Sequence, residues 1–476
     1  MSSTSKAEWI QTDGTGTALA PPCANALRLA CILVAILIPL KLAVTYIVLV
    51  PLIVLWAASS AWRYGVLSGP PRERAILVPL AFLLLSITLS TVTGIDPLHS
   101  VSPLLSLVFF SLTVLAFRDY GSSYFVPLAL VTGQAIAAAH TVVSAAFPSI
   151  PSLFLGSVTE SGQLALSVLI CLGLTWQKFS IARGTMPPAT PRAAATCGAL
   201  ALMMLCSFGF YRDIAIEPTT LISLWIGGAI MIALLLKAAA PRTQEARGLL
   251  TFATLYLPLL LSALLLNLKR GPWMGVTLGV GVLCFLFARK FLAFILGAAL
   301  FTAMAVPPIR ERLAVSYDHF TISGGRSTIW RIGVDLISQY PLGIGYHNSR
   351  IMRQFSLEIP PELKHFHNNL INIAAESGIL TVGIFVWFIY AVLRSCFRRP
   401  ISGLHAAIGC AIISWQTAGL VEYNFGDSEV MIIVWMLLGI LLGDIRKEAH
   451  TEESRIDVIA STDDQTKAPQ VDASDG

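Results

Sequence analysis

Arg326, His367 and Glu376, with Asn and Gly clustered between them, are the residues of this sequence whose types and spacing can do chemistry. They lie in one interval, Ser323 to Gly378, which reads SGGRSTIWRIGVDLISQYPLGIGYHNSR, a polar spacer, then HFHNNLINIAAESG. Gly324-Gly325-Arg326 makes a tight turn at a helix start, where backbone N–H groups and a guanidinium together favour an anion such as phosphate. Alone, it reads as readily as a capped surface helix with a solvated Arg. PLGIGYHN (341–348) is a second Gly-rich turn. His367 stands immediately ahead of a helix, where the positive end of the dipole disfavours imidazolium and helps keep the ring a neutral base. Alone, it also reads as an interfacial His beside an Asn N-cap. Asn369, Asn372 and Glu376 fall at i, i+3 and i+7, on one helical face.

The elements that must position these groups are membrane helices. With 55% hydrophobic and 12% charged residues, and a mean hydropathy of +0.73, the chain is far from soluble globular usage. The predicted fold is an all-α polytopic bundle of about 12–14 spans, with one large outer loop containing short amphipathic helices. Residues 1–22 read as a disordered cytoplasmic tail, 23–306 as transmembrane helices, 307–367 as the catalytic loop, 368–445 as further spans, and 446–476 as a second disordered cytoplasmic tail. Two helices fit Ala24 to Trp62; later spans fall at 75–93, 100–117, 125–146, 160–176, 193–210, 218–237, 247–267, 272–288, 290–306, 368–395, 402–420 and 429–444. No cleavable leader is read, so the first spans act as the insertion signal. In the loop, Ile329, Ile332, Leu336 and Ile337 at i, i+3, i+7 and i+8 predict an amphipathic helix lying on the membrane surface, ended by Pro341.

Charge sets the orientation. With the N-terminus inside, each cytoplasmic loop carries Lys or Arg (62–75, Arg118, 177–192, 241–247, 288–290 and 394–400), while the opposite loops are neutral or acidic on balance. Both termini are then cytoplasmic and the 307–367 loop is outside. Arg212, Lys269, Arg270 and the basic residues of the long loop go against this bias, which marks Arg270 in particular as a functional candidate. The net charge of +5 is scattered over short loops, so it does not suggest nucleic-acid binding. The spans read as nearly free of charge, with His140, Glu160 and His405 as exceptions, which argues against an ion-coupled transporter. The eight Cys lack metal-type spacing and read as apolar thiols.

Taken together and in order, G-G-R-x-x-x-W, G-x-G and H-x-H-N-x-x-L-x-x-x-x-E-x-G in one outer loop resemble the O-antigen ligase and polymerase superfamily of bacterial inner-membrane glycosyltransferases. Lys269-Arg270-Gly271-Pro272-Trp273 before a span and Glu422 to Asp427 ahead of the last span extend the resemblance to roughly residues 250–445. The resemblance implies transfer of a glycan from an undecaprenyl diphosphate carrier to an acceptor hydroxyl on the periplasmic side. Arg270 and Arg326 would bind the diphosphate, His367 would be the general base of an inverting displacement, and Asn369 and Glu376 would orient the reacting groups, supported by Trp330 and Glu422. Glu422 and Asp427 can orient the His or the sugar, or hold a loop edge. No metal or cofactor is expected. The favoured acceptor is lipid A-core, as in an O-antigen ligase. The alternatives are a repeat-unit polymerase with a glycan acceptor, a protein O-oligosaccharyltransferase and, from a different class, a lipid-glycan flippase, which needs a polar path that the spans lack.

Overall fold

The computed structural model describes residues 21–59, 69–183 and 256–466, except for 148, 152, 288, 306, 323–324, 356–358 and 360–362. Every regular element among the described residues is helical, so the chain is an all-α bundle. Helices α1 (Pro21–Leu37), α2 (Leu42–Ala58), α3 (Pro71–Thr93), α4 (Pro97–Ser111), α5 (Thr113–Tyr120), α6 (Phe125–Ala146) and α7 (Val158–Arg183) make up the N-terminal part. The C-terminal part opens with α8 (Tyr256–Leu266). It continues with α9 (Arg270–Phe287), α10 (Arg289–Ala305), α11 (Pro307–Ala314), α12 (Ser316–Thr321), α13 (Arg326–Gln339), α14 (Asn369–Ser377), α15 (Ile379–Cys396), α16 (Gly403–Gly419) and α17 (Ser428–Thr466).

Seven helical stretches among the described residues are long and apolar enough to cross a membrane: 71–93, 97–120, 125–146, 158–175, 270–287, 379–396 and 428–454. The expected spans at 193–210 and 218–237, the start of 247–267 and the first 20 residues lie outside the described set. Large apolar side chains such as Ile47, Leu89, Val92, Leu105 and Leu380 point outward without cover. That arrangement is unfavourable in water and favourable in hydrocarbon.

Two packing features set up the site. Helix α9 runs along α16 so closely that a methyl on Gly275 would lie 2.4 Å from the Ser414 carbonyl oxygen. A glycine there lets the two backbones meet, which is how helices associate where lipid removes the hydrophobic drive. The contact aligns Arg270, at the head of α9, with the 420–427 loop that leaves α16. The second feature corrects the span expected at 368–395. The helix breaks at Gly378, whose φ of 90° suits glycine alone, giving the short α14 and then α15. The polar face of α14 is buried in protein rather than in lipid, which the continuous apolar pattern of 379–395 concealed.

Two further expectations are corrected. The apolar face of α13 does not lie on the membrane surface: Ile329, Ile332 and Leu336 are buried with Ile344, Met352, Ile359, Phe366 and Ala375 in a second small core. The chain from 446 is not disordered from the membrane edge, because α17 continues as helix to Thr466. Its Arg446 is drawn inward by carboxylates: it reaches Glu73 at 3.0 Å and Asp119 at 3.4 Å. Arg118, expected in a loop, is buried and pairs with Glu73 at 3.0 Å and Asp119 at 2.7 Å. Arg72 joins Glu448 at 2.8 Å. Just outside the expected spans 75–93, 100–117 and 429–444, one end of the bundle is closed by an ion network.

Candidate functional site

At the opposite end, His367, Arg326 and Glu422 meet. His367 precedes α14, whose N-cap is Asn368: its side-chain oxygen accepts from the backbone N–H groups of Leu370 and Ile371 at 2.9 and 3.1 Å. This cap fixes where the helix starts. The backbone at His367 is left-handed, with φ of 49°, a costly conformation for a residue with a Cβ. It turns the ring out of the helix and toward the 420–427 loop.

There the Nδ1 atom of His367 lies 3.1 Å from Glu422 Oε2, while Arg326 donates to the other oxygen, Glu422 Oε1, at 2.9 Å. Burial alone would raise Glu422, but the hydrogen bond from His367 and the charge of Arg326 outweigh it and hold the carboxyl below its ordinary value. An ionised carboxylate only accepts, so His367 carries its proton on Nδ1 and keeps the Nε2 lone pair free. His365 stacks edge-on against His367, with ring centroids 4.3 Å apart, and its Nδ1 accepts the His367 backbone N–H at 3.4 Å. Burial, and then the neighbouring His367, push His365 down to about 4, so this second ring is a neutral wall.

The supporting residues divide into two tiers. Asn369 donates to Asn424 Oδ1 at 2.7 Å and accepts from the Phe425 backbone N–H at 3.1 Å, clamping the loop that carries Glu422. Trp330 donates its indole N–H to the Phe366 carbonyl at 2.9 Å, tying α13 to the segment just before His367. Glu376 is farther back. Its Oε1 accepts from Ser349 Oγ at 2.6 Å, and Tyr423 OH reaches its Oε2 at 3.4 Å. Burial, only partly offset by these hydrogen bonds, raises the Glu376 carboxyl. It fastens the Gly-rich turn to α14, where the Ile344 and Gly345 N–H groups bond the Ala375 and Glu376 carbonyls at 2.9 Å.

Arg270 opens α9 beside this cluster; a methyl on the next residue, Gly271, would touch Glu422 Cγ at 3.4 Å. Arg270 feels the charges of Arg312, Arg326 and Glu422. Lys269 adds another cation, lowered first by burial and then by Arg312. The turn that carries them is held from below. Asn267 donates to Glu160 Oε2 at 2.6 Å and accepts from the Gly156 N–H at 2.5 Å, and Thr141 donates to Glu160 Oε1 at 2.5 Å. Glu160 thus faces neither water nor the cation cluster. Asp427 does not join His367 either: it caps α17 through the Glu429 and Val430 N–H groups and accepts from Thr159 at 2.5 Å. His140 is bonded within its own helix to Ser144, and His405 faces Asp444 at 3.6 Å at the other end of the bundle.

Arg312, His365 and Tyr423 were not singled out in the sequence. Arg312 carried a usable signal, since it breaks the positive-inside bias just as Arg270 does. His365 and Tyr423 fell inside the quoted motifs, H-x-H-N and Glu422 to Asp427, but were given no role, because their importance comes from contacts across distant segments. Among the described residues, no group of three or more His, Cys, Asp or Glu side chains is arranged to hold a metal ion.

Residues 255–388, which hold Arg270, Arg326 and His367, match the family model described as O-antigen ligase. Over these residues the chain is similar to the O-antigen ligase family. A Rickettsia typhi protein named as a proposed polysaccharide ligase is 28% identical over 124 residues, covering 24% of this chain and 29% of its own length. A Rickettsia prowazekii protein of the same description is 26% identical over 159 residues, covering 31% of this chain and 38% of its own. The chain therefore matches well under half of the length of either relative.

Proposed function

We propose that this O-antigen ligase-type protein is an inverting, metal-independent glycosyltransferase of the bacterial inner membrane, with its active site on the periplasmic face. The observation that carries this is the His367–Glu422–Arg326 chain set beside unpaired cations. Glu422 holds the Nδ1 proton of His367, so Nε2 takes the proton of an acceptor hydroxyl as its oxygen attacks the anomeric carbon. The bond between that carbon and the diphosphate oxygen breaks with inversion, and undecaprenyl diphosphate departs with the electron pair. Arg270 and Arg326 stabilise the charge that grows on the leaving phosphate. The favoured acceptor is lipid A-core.

The test is transfer by purified protein in nanodiscs, from undecaprenyl-diphosphate glycan to lipid A-core, with and without EDTA. Wild type should transfer in EDTA, and His367→Ala should lose roughly 10²–10⁴-fold in rate. Lengthening of the donor glycan with lipid A-core unmodified would make the protein a polymerase. Full activity in His367→Ala would remove the base assignment.

A further inference from the structure

Helix α11 is seated on the turn that presents Lys269 and Arg270. Ile309 is buried there against Leu265, Leu268 and Trp273. One helical turn later, on the same face, Arg312 Nε donates to the Leu268 carbonyl at 3.3 Å. Leu268 is itself left-handed, with φ of 52°, so the backbone at this point is strained and held by its surroundings. The remaining N–H groups of Arg312 meet no carboxylate among the described residues, and neither do Lys269 and Arg270; Arg326 alone is paired, with Glu422. Three like charges held together on partly buried side chains repel one another, and Glu422, already paired with Arg326, is the carboxylate that offsets Lys269 and Arg270 only in part. An anion of more than one charge would offset them further.

The cluster also has an order. Arg326 touches Glu422, which touches His367, so it marks the reacting end. Arg312 is bonded to Leu268, next to Lys269, while Gly271 on the other side of Arg270 lies against Glu422, the partner of Arg326, so Arg270 stands between the two ends with Lys269 beside Arg312. A diphosphate is a linear anion with two phosphate groups, and this row of cations has two ends.

We propose that Arg312, with Lys269, binds the lipid-side phosphate of the donor, while Arg326 serves the sugar-side phosphate and Arg270 bridges the two. The assignment rests on the diphosphate reading above and adds to it a means of telling a diphosphate from a monophosphate. A carrier with a single phosphate fills only one end of the row.

The experiment measures binding of undecaprenyl diphosphate and undecaprenyl monophosphate to the full chain in nanodiscs, for wild type, Arg312→Ala, Arg312→Lys and, as a control, Arg310→Ala, whose side chain is exposed on the same helix. Wild type should prefer the diphosphate. Arg312→Ala should weaken the diphosphate roughly 10- to 100-fold and the monophosphate by less than about threefold. Arg312→Lys should recover part of the loss, and Arg310→Ala should match wild type within about twofold. Equal losses for both lipids, together with a lowered unfolding temperature, would make Arg312 a tether for α11 and overturn the proposal, as would unchanged diphosphate binding in Arg312→Ala. Failure of wild type to bind the diphosphate at all would instead overturn the donor reading on which this one stands.

Discussion

The two ends of the bundle both gather arginines and carboxylates, and they differ in balance. At one end Arg72, Arg118 and Arg446 face Glu73, Asp119 and Glu448, every guanidinium lies within 3.4 Å of a carboxylate, and the Arg118 and Glu73 side chains are 0% exposed. At the other, Lys269, Arg270, Arg312 and Arg326 have Glu422 as the one carboxylate in ion-pair contact among the described residues, and Arg326 and Glu422 remain about one-fifth exposed. A network with three charges of each sign around a dry Arg118–Glu73 pair completes itself and fastens helices, although Arg72, Arg446 and Glu448 at its edge remain 19%, 20% and 53% exposed. A surplus of cations around a single carboxylate is balanced only with an anion present. Buried charge within a membrane protein therefore does not mark a functional site by itself; unbalanced and accessible charge does.

The largest effect that would break this comparison comes from the sealed end. Arg118→Ala leaves Glu73 and Asp119 with one cation fewer in a dry environment, and should cost about 3–5 kcal/mol of stability. Thermal unfolding in detergent would show it. Arg326→Ala, at the open end, should change stability by no more than about 1 kcal/mol, because its pair is partly solvated. If Arg326→Ala unfolds the protein while Arg118→Ala leaves it intact, the two ends have been assigned the wrong way round.

Glu422→Gln sharpens the contrast within the open end. The amide keeps the shape and removes the one negative charge, so the cations keep or gain affinity for an anionic donor while His367 loses the group that fixes its tautomer. The expected result is kcat lowered roughly 10²-fold with KM for the donor unchanged or reduced. A raised KM at constant kcat would mean that Glu422 only shapes the binding surface.

The open end was the more legible of the two in the sequence, for a physical reason. Arg270 stood out because it violates the charge bias that topology imposes, and His367 because a helix start follows it directly; both are local signals. That Glu422 lies against both His367 and Arg326 was not legible, since it depends on Asn368 and Asn369 holding the 420–427 loop against the start of α14, across a separation of 52 to 56 positions. The break at Gly378 was hidden because apolar residues continue on its far side, and the sealed network because Glu73, Arg118 and Arg446 each look like an ordinary helix-end charge until the helices are packed. Hydropathy reports what faces lipid, and these groups face one another.

Asn369 tests how firmly the base and its carboxylate are held together. Asn369→Ala leaves Asn424 Oδ1 and the Phe425 N–H unpaired in a buried place, which should cost about 1–3 kcal/mol. The loop carrying Glu422 should loosen with it, so activity should fall by more than stability alone explains. Asn369→Asp, which keeps the acceptor for Phe425 N–H but not the donor for Asn424, should fall between wild type and Asn369→Ala in a thermal unfolding series.

The smallest effect separates His365 from Glu422 by pH. In the unfolded chain a His takes its proton near 6.5, whereas burial beside His367 holds His365 down to about 4. Between these values the unfolded chain binds a proton that the folded chain refuses, so stability is full above pH 6.5 and declines as the pH falls toward 4. Glu422 is depressed below 4.5, so its contribution persists through that same range and is lost only at lower pH. The raised Glu376 carboxyl works in the opposite sense, so the effect is read as a difference: from pH 7 to pH 5 the unfolding temperature of wild type should drop modestly relative to that of His365→Gln, which has no proton to take up. Glu422→Gln removes a charge that favours the protonated His365, so it should hold His365 neutral to still lower pH rather than abolish the slope. His347, also lowered by burial, leaves a slope of its own, so it is a slope identical in His365→Gln and wild type that would remove His365 as the neutral wall behind the base.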